Sequence, residues 1–318
     1  VAEGGVVVAA AAKRRSTSTS PAKDLWIVLT PSVDHEAWLR ALVTAAEAAG
    51  RELVSTLVQP EPRPAKAPPA LYVTNDALVA AGADPANVVV IMPQPETAAE
   101  TTADLYDLYP PFSMYHASLL LARAAALGPS ARILTAQQLS RGPANIELFP
   151  GVVVQPPVAE RGTPRPAVSV AFGMYRLGRP RPGTSVSWSE RLFTYDQKSF
   201  VEGAQIGDLD VTGRPRTLLY GPFIALPPGR WGAKMRFAID DDAAGHELRF
   251  DWGPGSDFVS QAAVLAAGGV YEIEVEHAVS DVGSWQFRIL LMEGAFEGRM
   301  TFQGGTVTRL QDDETPAT

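Results

Sequence analysis

The sequence contains no cysteine and only four histidines, His35, His116, His246 and His277. Without thiols there is no disulfide framework, thiolate zinc site, iron-sulfur cluster or cysteine nucleophile. The redox compartment stays open, because such a chain folds equally well on either side of a membrane. So few histidines leave a serine nucleophile few bases, and no Gly-x-Ser-x-Gly elbow is present. No apolar run approaches the roughly 18 to 20 residues of a membrane-spanning helix. An excess of basic residues is missing as well: 27 Lys and Arg stand against 35 Asp and Glu, a formal net charge of −8. That balance argues against a protein whose main work is gripping nucleic-acid phosphates.

What is present is material for packed cores. The chain has 318 residues, 46% of them hydrophobic, and this length predicts two domains more readily than one. Residues 1–24 read as a disordered leader. Its Val6–Ala12 run precedes Lys13, Arg14 and Arg15, the reverse of the charge order in a secretory signal, so the expected location is cytoplasmic. From Leu25 the pattern alternates. Leu25–Leu29, Glu52–Val58, Leu71–Thr74, Val88–Met92, Arg132–Thr135 and Val152–Val154 read as strands, and helical stretches lie between most of them. The helix expected from Glu96 breaks at Pro110-Pro111 and restarts near Ser113. Residues 25–158 are therefore expected to form a three-layer, Rossmann-like α/β domain around a mostly parallel sheet, and the proline-rich residues 159–169 a linker.

Beyond residue 170 the pattern changes. Four of the six tryptophans and ten of the twelve phenylalanines lie there. Trp231, Ala233, Met235, Phe237 and Ile239 share one parity; Leu248, Phe250 and Trp252 repeat it, as do Tyr271, Ile273 and Val275, and then Trp285, Phe287, Ile289 and Leu291. Period-two alternation at this spacing predicts an antiparallel β-sandwich over residues 170–310, with a frayed tail at 311–318. The same parity makes Trp231, Trp252 and Trp285 core residues.

Chemistry is harder to find. The turn after the first strand, Thr30–Glu36, holds no glycine, so neither a dinucleotide fingerprint nor a P-loop is present, and its acids would repel a pyrophosphate. Helix capping by Ser32 or Asp34 with a solvated His35 is the simpler reading; a metal site at Asp34, His35 and Glu36 is the alternative. Asp240, Asp241 and Asp242 read as a solvated acidic turn, with calcium binding the weaker alternative. The Tyr106–His116 segment carries aromatics across a helix break. Tyr109 and His116 are ligand candidates there, and the segment as a whole is a candidate contact surface for a protein partner. On the sandwich, Trp188, Tyr195 and Phe258 are expected in loops and are the aromatics freest to stack on a sugar. No catalytic constellation, cofactor or resident metal is expected.

The run Tyr220-Gly221-Pro222-Phe223, then Leu226-Pro227-Pro228-Gly229-Arg230-Trp231, then a long amphipathic strand resembles the carbohydrate-binding-module-like β-sandwiches that accompany bacterial glycosyltransferases and exopolysaccharide proteins. The resemblance spans about residues 190–310 and implies a noncatalytic, glycan-associated domain. The α/β half is similar, more distantly, to one lobe of a two-lobed glycosyltransferase. Together they lead to the expectation of a noncatalytic protein that binds an oligosaccharide or polysaccharide weakly, as an accessory factor in polysaccharide biosynthesis. Two alternatives stand beside it: a glycosyltransferase-like enzyme using a nucleotide sugar, and a structural assembly subunit.

Overall fold

Strand β1 (Leu25–Leu29) is buried at all five residues, as a continuous apolar run requires when both faces of a sheet are covered. In the computed structural model, which describes residues 23–311 except 62, 65, 129, 143, 160, 161 and 200–204, it is the centre of a parallel sheet. The expected leader and tail lie outside the described residues, apart from residues 23, 24 and 311. Helix α1 (His35–Ala48) follows, then β2 (Glu52–Ser55), β3 (Ala70–Thr74), the short α2 (Ala77–Ala80) and β4 (Val88–Met92). Helices α3 (Ala98–Tyr106) and α4 (Pro110–Ala126) lead to β5 (Arg132–Thr135) and α5 (Ala136–Arg141). The order across the sheet is β2-β3-β1-β4-β5, with every pairing parallel.

Alternate residues of the central strands enter different cores. Leu25, Ile27 and Leu29 pack with Trp38 and Leu42 of α1, whereas Trp26 and Val28 pack on the side of α2 and α4. Val152–Val154 is not a strand of this sheet. It forms β7, paired antiparallel with β6 (Ile146–Phe149) in a two-stranded hairpin turned at Gly151, and the hairpin joins the α1 core. Helix α4 also begins earlier than the Ser113 restart expected from its prolines. Pro110 occupies its first turn, where a missing N–H costs nothing and the fixed φ suits a helix start, while Asp107 ends α3 in a left-handed conformation.

Helix α6 (Pro166–Phe172) starts inside the stretch expected to be linker, and Val168, Ala171 and Phe172 are buried. The strands β8 (Ser185–Trp188), β9 (Thr194–Tyr195), β10 (Asp208–Asp210), β11 (Arg216–Leu226), β12 (Gly229–Ile239), β13 (Glu247–Pro254), β14 (Val259–Val264), β15 (Gly269–Val279), β16 (Gly283–Leu291) and β17 (Arg299–Arg309) then build two antiparallel sheets. One has the order β10-β17-β12-β15 with β8 paired to β17; the other is β14-β13-β16-β11-β9. Trp188, Trp231, Trp252 and Trp285 are fully buried between them; the rings of Trp188 and Trp252 lie 5.5 Å apart, and those of Trp252 and Trp285 4.7 Å.

Helix α4 joins the two halves. It is buried on more than one stripe, because Leu120, Ala122 and Ala124 are buried as well as Met114, Ala117, Leu121 and Ala125, and its small residues let it lie between the parallel sheet and β11. Strand β9 covers β11 only at Leu219 and Tyr220, so the rest of that flank is an open sheet edge. At Ala225 side chains from α4 and from the segment after α6 close it. Ser118 Oγ accepts the Ala225 N–H at 2.9 Å, and Tyr175 Oη donates to the Ala225 carbonyl at 2.7 Å. Arg179 donates from the sandwich side to the carbonyls of Ala125 and Leu127 at the end of α4. One continuous apolar core therefore runs from Val28 to Trp231.

Candidate functional site

Where α4 begins, a cleft of about 970 Å³ opens between the helix and the sandwich, at the upper end of the range for small-molecule sites. The helix contributes Tyr109, Phe112 and Tyr115. Because Pro110 and Pro111 set the helix start, these aromatics project from its first turns; Tyr109 and Phe112 meet edge to face at 4.6 Å. They are 62%, 50% and 36% exposed in that order, which is unusual for three large apolar side chains in one place. Tyr220, Pro222 and Phe223 of β11 form another wall, Leu192 and Phe193 line it from the segment before β9, and Arg165 to Val168 come from the start of α6.

The β11 wall is shaped by a bulge. The pairing with β16 shifts between Pro222 and Ile224, so Phe223 is the extra residue on its strand. Its φ of 63° lies in the left-handed region, an unfavourable place for an aromatic residue that costs about 1–3 kcal/mol. The Gly221–Pro222 peptide is cis, and Gly221 has a φ of 122° that only glycine adopts readily. The bulge brings the Phe223 ring edge to face with Tyr220 at 5.8 Å. Strand alternation alone would have put the residues on either side of Pro222 in other positions.

Two arginines face the cleft, Arg165 and Arg191, and no Asp or Glu is among the described residues that line it. The Arg165 backbone N–H and its Nε both donate to Glu100 Oε1, at 3.1 and 3.0 Å, which fixes the guanidinium by one corner. Arg191 Nε stands 3.6 Å from Glu190 Oε1, a loose pair on a side chain that is 67% exposed.

The residues singled out in the sequence are scattered by the fold. Tyr109 lines the cleft. His116 does not; it packs edge to face on Tyr106 at 4.9 Å, its Nδ1 is buried with no hydrogen-bond partner among the described residues, and burial pushes its pKa down. Tyr106 Oη in turn accepts a hydrogen bond from Asn75. Trp188 is in β8 and fully buried, and Tyr195 is in β9, buried, with its hydroxyl donating to the Glu190 carbonyl at 2.6 Å. Neither is a loop aromatic: both short strands pair with longer ones, which turns these rings into the core. Phe258 is half-buried, and the Arg288 guanidinium already covers its ring at 4.1 Å.

The acidic turn is consumed by the backbone. Asp240 accepts the N–H groups of Ala243 and Arg299, and Asp241 that of Gly268, all within 3.0 Å, so two of the three carboxylates staple the loop instead of facing a cation. Among the described residues no three His, Asp or Glu side chains gather at metal-binding spacing.

At the carboxyl ends of β1 and β4, where open α/β sheets place ligands, lies a second crevice of about 440 Å³ lined by Ser32, His35, Glu36, Glu100 and Asp104 among others. Asp34 occupies the N-cap position without capping α1, and its carboxylate accepts from Gln94 Nε2 at 2.6 Å. His35 is not solvated; burial dominates and lowers its pKa. The crevice offers a phosphate carboxylates and no glycine cradle.

No family model matches the chain, and no curated protein is similar to it in sequence. The β-sandwich is similar to solved carbohydrate-binding modules. These include TmCBM61 in complex with β-1,4-galactotriose, at 10% identity over 37% of this chain and 80% of that one, TM-score 0.26. The CBM22-1 xylan-binding domain of Paenibacillus barcinonensis Xyn10C is similar at 11% identity over 41% of this chain and 98% of that one, TM-score 0.27. The C-terminal CBM6 of LamC, a laminarinase of Zobellia galactanivorans, is similar at 13% identity over 39% of this chain and 99% of that one, TM-score 0.26.

Sequence reasoning missed Arg165 and Arg191, while Phe112 and Tyr115 lay within the Tyr106–His116 segment it singled out without naming them as ligand candidates. The one signal in the sequence for the β11 wall was the Tyr220–Phe223 run.

Proposed function

We propose that the protein binds a saccharide in the cleft between α4 and β11 without transforming it. The observation that carries this reading is the concentration of half-exposed aromatic rings, Tyr109, Phe112, Tyr115, Tyr220 and Phe223, around one cleft. Aromatic faces suit the C–H faces of a pyranose, while tyrosine hydroxyls and guanidinium N–H groups suit its hydroxyls. The bulge that holds Phe223 in a left-handed conformation favours a built site over incidental exposure. An accessory place beside the enzymes that build a bacterial polysaccharide extends the reading, and rests on the resemblance carried by Tyr220–Trp231.

A half-open cleft buries only part of a well-hydrated ligand, so dissociation constants in the micromolar to millimolar range, about −8 to −4 kcal/mol, are expected. The test is a glycan array followed by titration calorimetry on the full chain, with Phe112→Ala and Tyr220→Ala variants. Binding that both substitutions weaken while the melting temperature holds supports the reading. Absence of binding to every glycan, or binding indifferent to both substitutions, overturns it.

A further inference from the structure

We infer that the cleft selects anionic saccharides, those bearing a carboxylate such as a uronate, over neutral ones; this rests on the saccharide reading above and names its ligand class. The chain carries eight more acidic than basic residues, yet the described residues lining the cleft include two arginines and neither Asp nor Glu. The surface turned to the cleft is thus cationic, with Glu100 and Glu190 standing behind the two arginines and not in the lining.

Both cations keep donors for a ligand. Glu100 holds Arg165 through Nε and through the backbone N–H, and no described residue takes a hydrogen bond from either of its terminal nitrogens. That carboxylate belongs to the neighbouring crevice, so the arginine is anchored on one side and faces the cleft on the other. Glu190 spends one oxygen on Ser189 Oγ at 2.8 Å and leaves the other 3.6 Å from Arg191, beyond hydrogen-bond range. Two planar, always-charged forks match the geometry of carboxylates, which neutral sugars lack. The aromatic rings beside them provide the stacking surface for the same sugar units.

The full-length protein is titrated with trigalacturonate and with β-1,4-galactotriose, each at low and high salt, and the readout is the ratio of the two affinities. The acidic trisaccharide is expected to bind about tenfold or more tightly at low salt, since hydrogen bonds to charged groups are worth that much. The ratio is expected to shrink at high salt as the charges are screened. Arg191→Gln should bring the ratio to within about threefold. Its side chain is exposed and loosely paired, so the fold is expected to hold, and an unchanged melting temperature checks that. Equal affinity for the two trisaccharides, or a ratio indifferent to Arg191→Gln, overturns the anionic preference and leaves the saccharide reading intact. If neither trisaccharide nor any array glycan binds, the saccharide reading itself is overturned, and the preference with it.

Discussion

His35 and His116 show what burial does to single residues. Both have pKa values pushed below the ordinary histidine value of 6.5, first by burial; at His116 the Asp76 carboxylate pulls the other way and Arg123 adds to the lowering. An imidazole whose folded pKa is depressed contributes stability that is fully present above the unfolded pKa and lost as pH falls through the folded one. The protein is therefore expected to lose stability as pH drops from 7.5 toward 5. His116→Gln should flatten part of that dependence. Urea midpoints at several pH values measure it, and a His116→Gln curve parallel to the wild type would refute the assignment. Phe223 makes a different point at the same scale, because no pattern of hydrophobicity reports a positive φ.

Among elements, β12 follows its alternation closely, whereas in β13 and β16 the polar residues Asp251 and Gln286 are buried on the opposite parity from Trp252 and Trp285. The indole N–H of Trp231 donates to the Pro227 carbonyl at 3.0 Å and that of Trp252 to the Trp231 carbonyl at 3.3 Å, so these rings are held at both their apolar and their polar ends. Replacing any of the three by alanine is expected to cost about 3–5 kcal/mol. Denaturant unfolding reads this directly, and full stability in one variant would show that its ring is not a core residue. Helix α4 and β11 form the other decisive pair. Removing the hydroxyl in Ser118→Ala leaves the Ala225 N–H buried without its acceptor, and Tyr175→Phe leaves the Ala225 carbonyl without its donor. Each should destabilise by about 1–3 kcal/mol. Because both bonds serve one residue, a double variant is expected to be non-additive, and strict additivity would count against a shared role.

For the whole molecule, the change in composition near residue 160 marks a change of architecture, while the core does not stop there. Val168, Phe172 and Tyr175 are buried, Ser118 and Arg179 tie α4 to the sandwich, and Tyr175 ties the segment after α6 to β11. We expect a protease that cuts between residues 156 and 165 to leave two fragments that elute together on gel filtration and separate only on denaturation. Fragments that elute apart would show that the interface contributes little.

The elements themselves were legible because burial on both faces writes a continuous run, as in Val88–Met92, and burial on one face writes an alternation, as in Trp231–Ile239. Both are local signals, carried by neighbouring residues. The early start of α4 was less so, since proline reads as a breaker unless it falls in the first turn, where it is tolerated. Trp188 and Tyr195 could not be placed, because strands of four and two residues are too short to show a period and their burial is decided by distant partners. The cleft was legible only in pieces, as the Tyr106–His116 aromatics and the Tyr220–Phe223 run. Tyr109, Arg165, Arg191 and Phe223 come from four separate segments, and only the packing of α4 against β11 brings them around one space. Local patterning thus determined which residues pack and in which kind of element; the tertiary structure alone decided which polar and aromatic groups converge, because convergence depends on contacts between segments whose spacing along the chain carries no record of their distance in the fold.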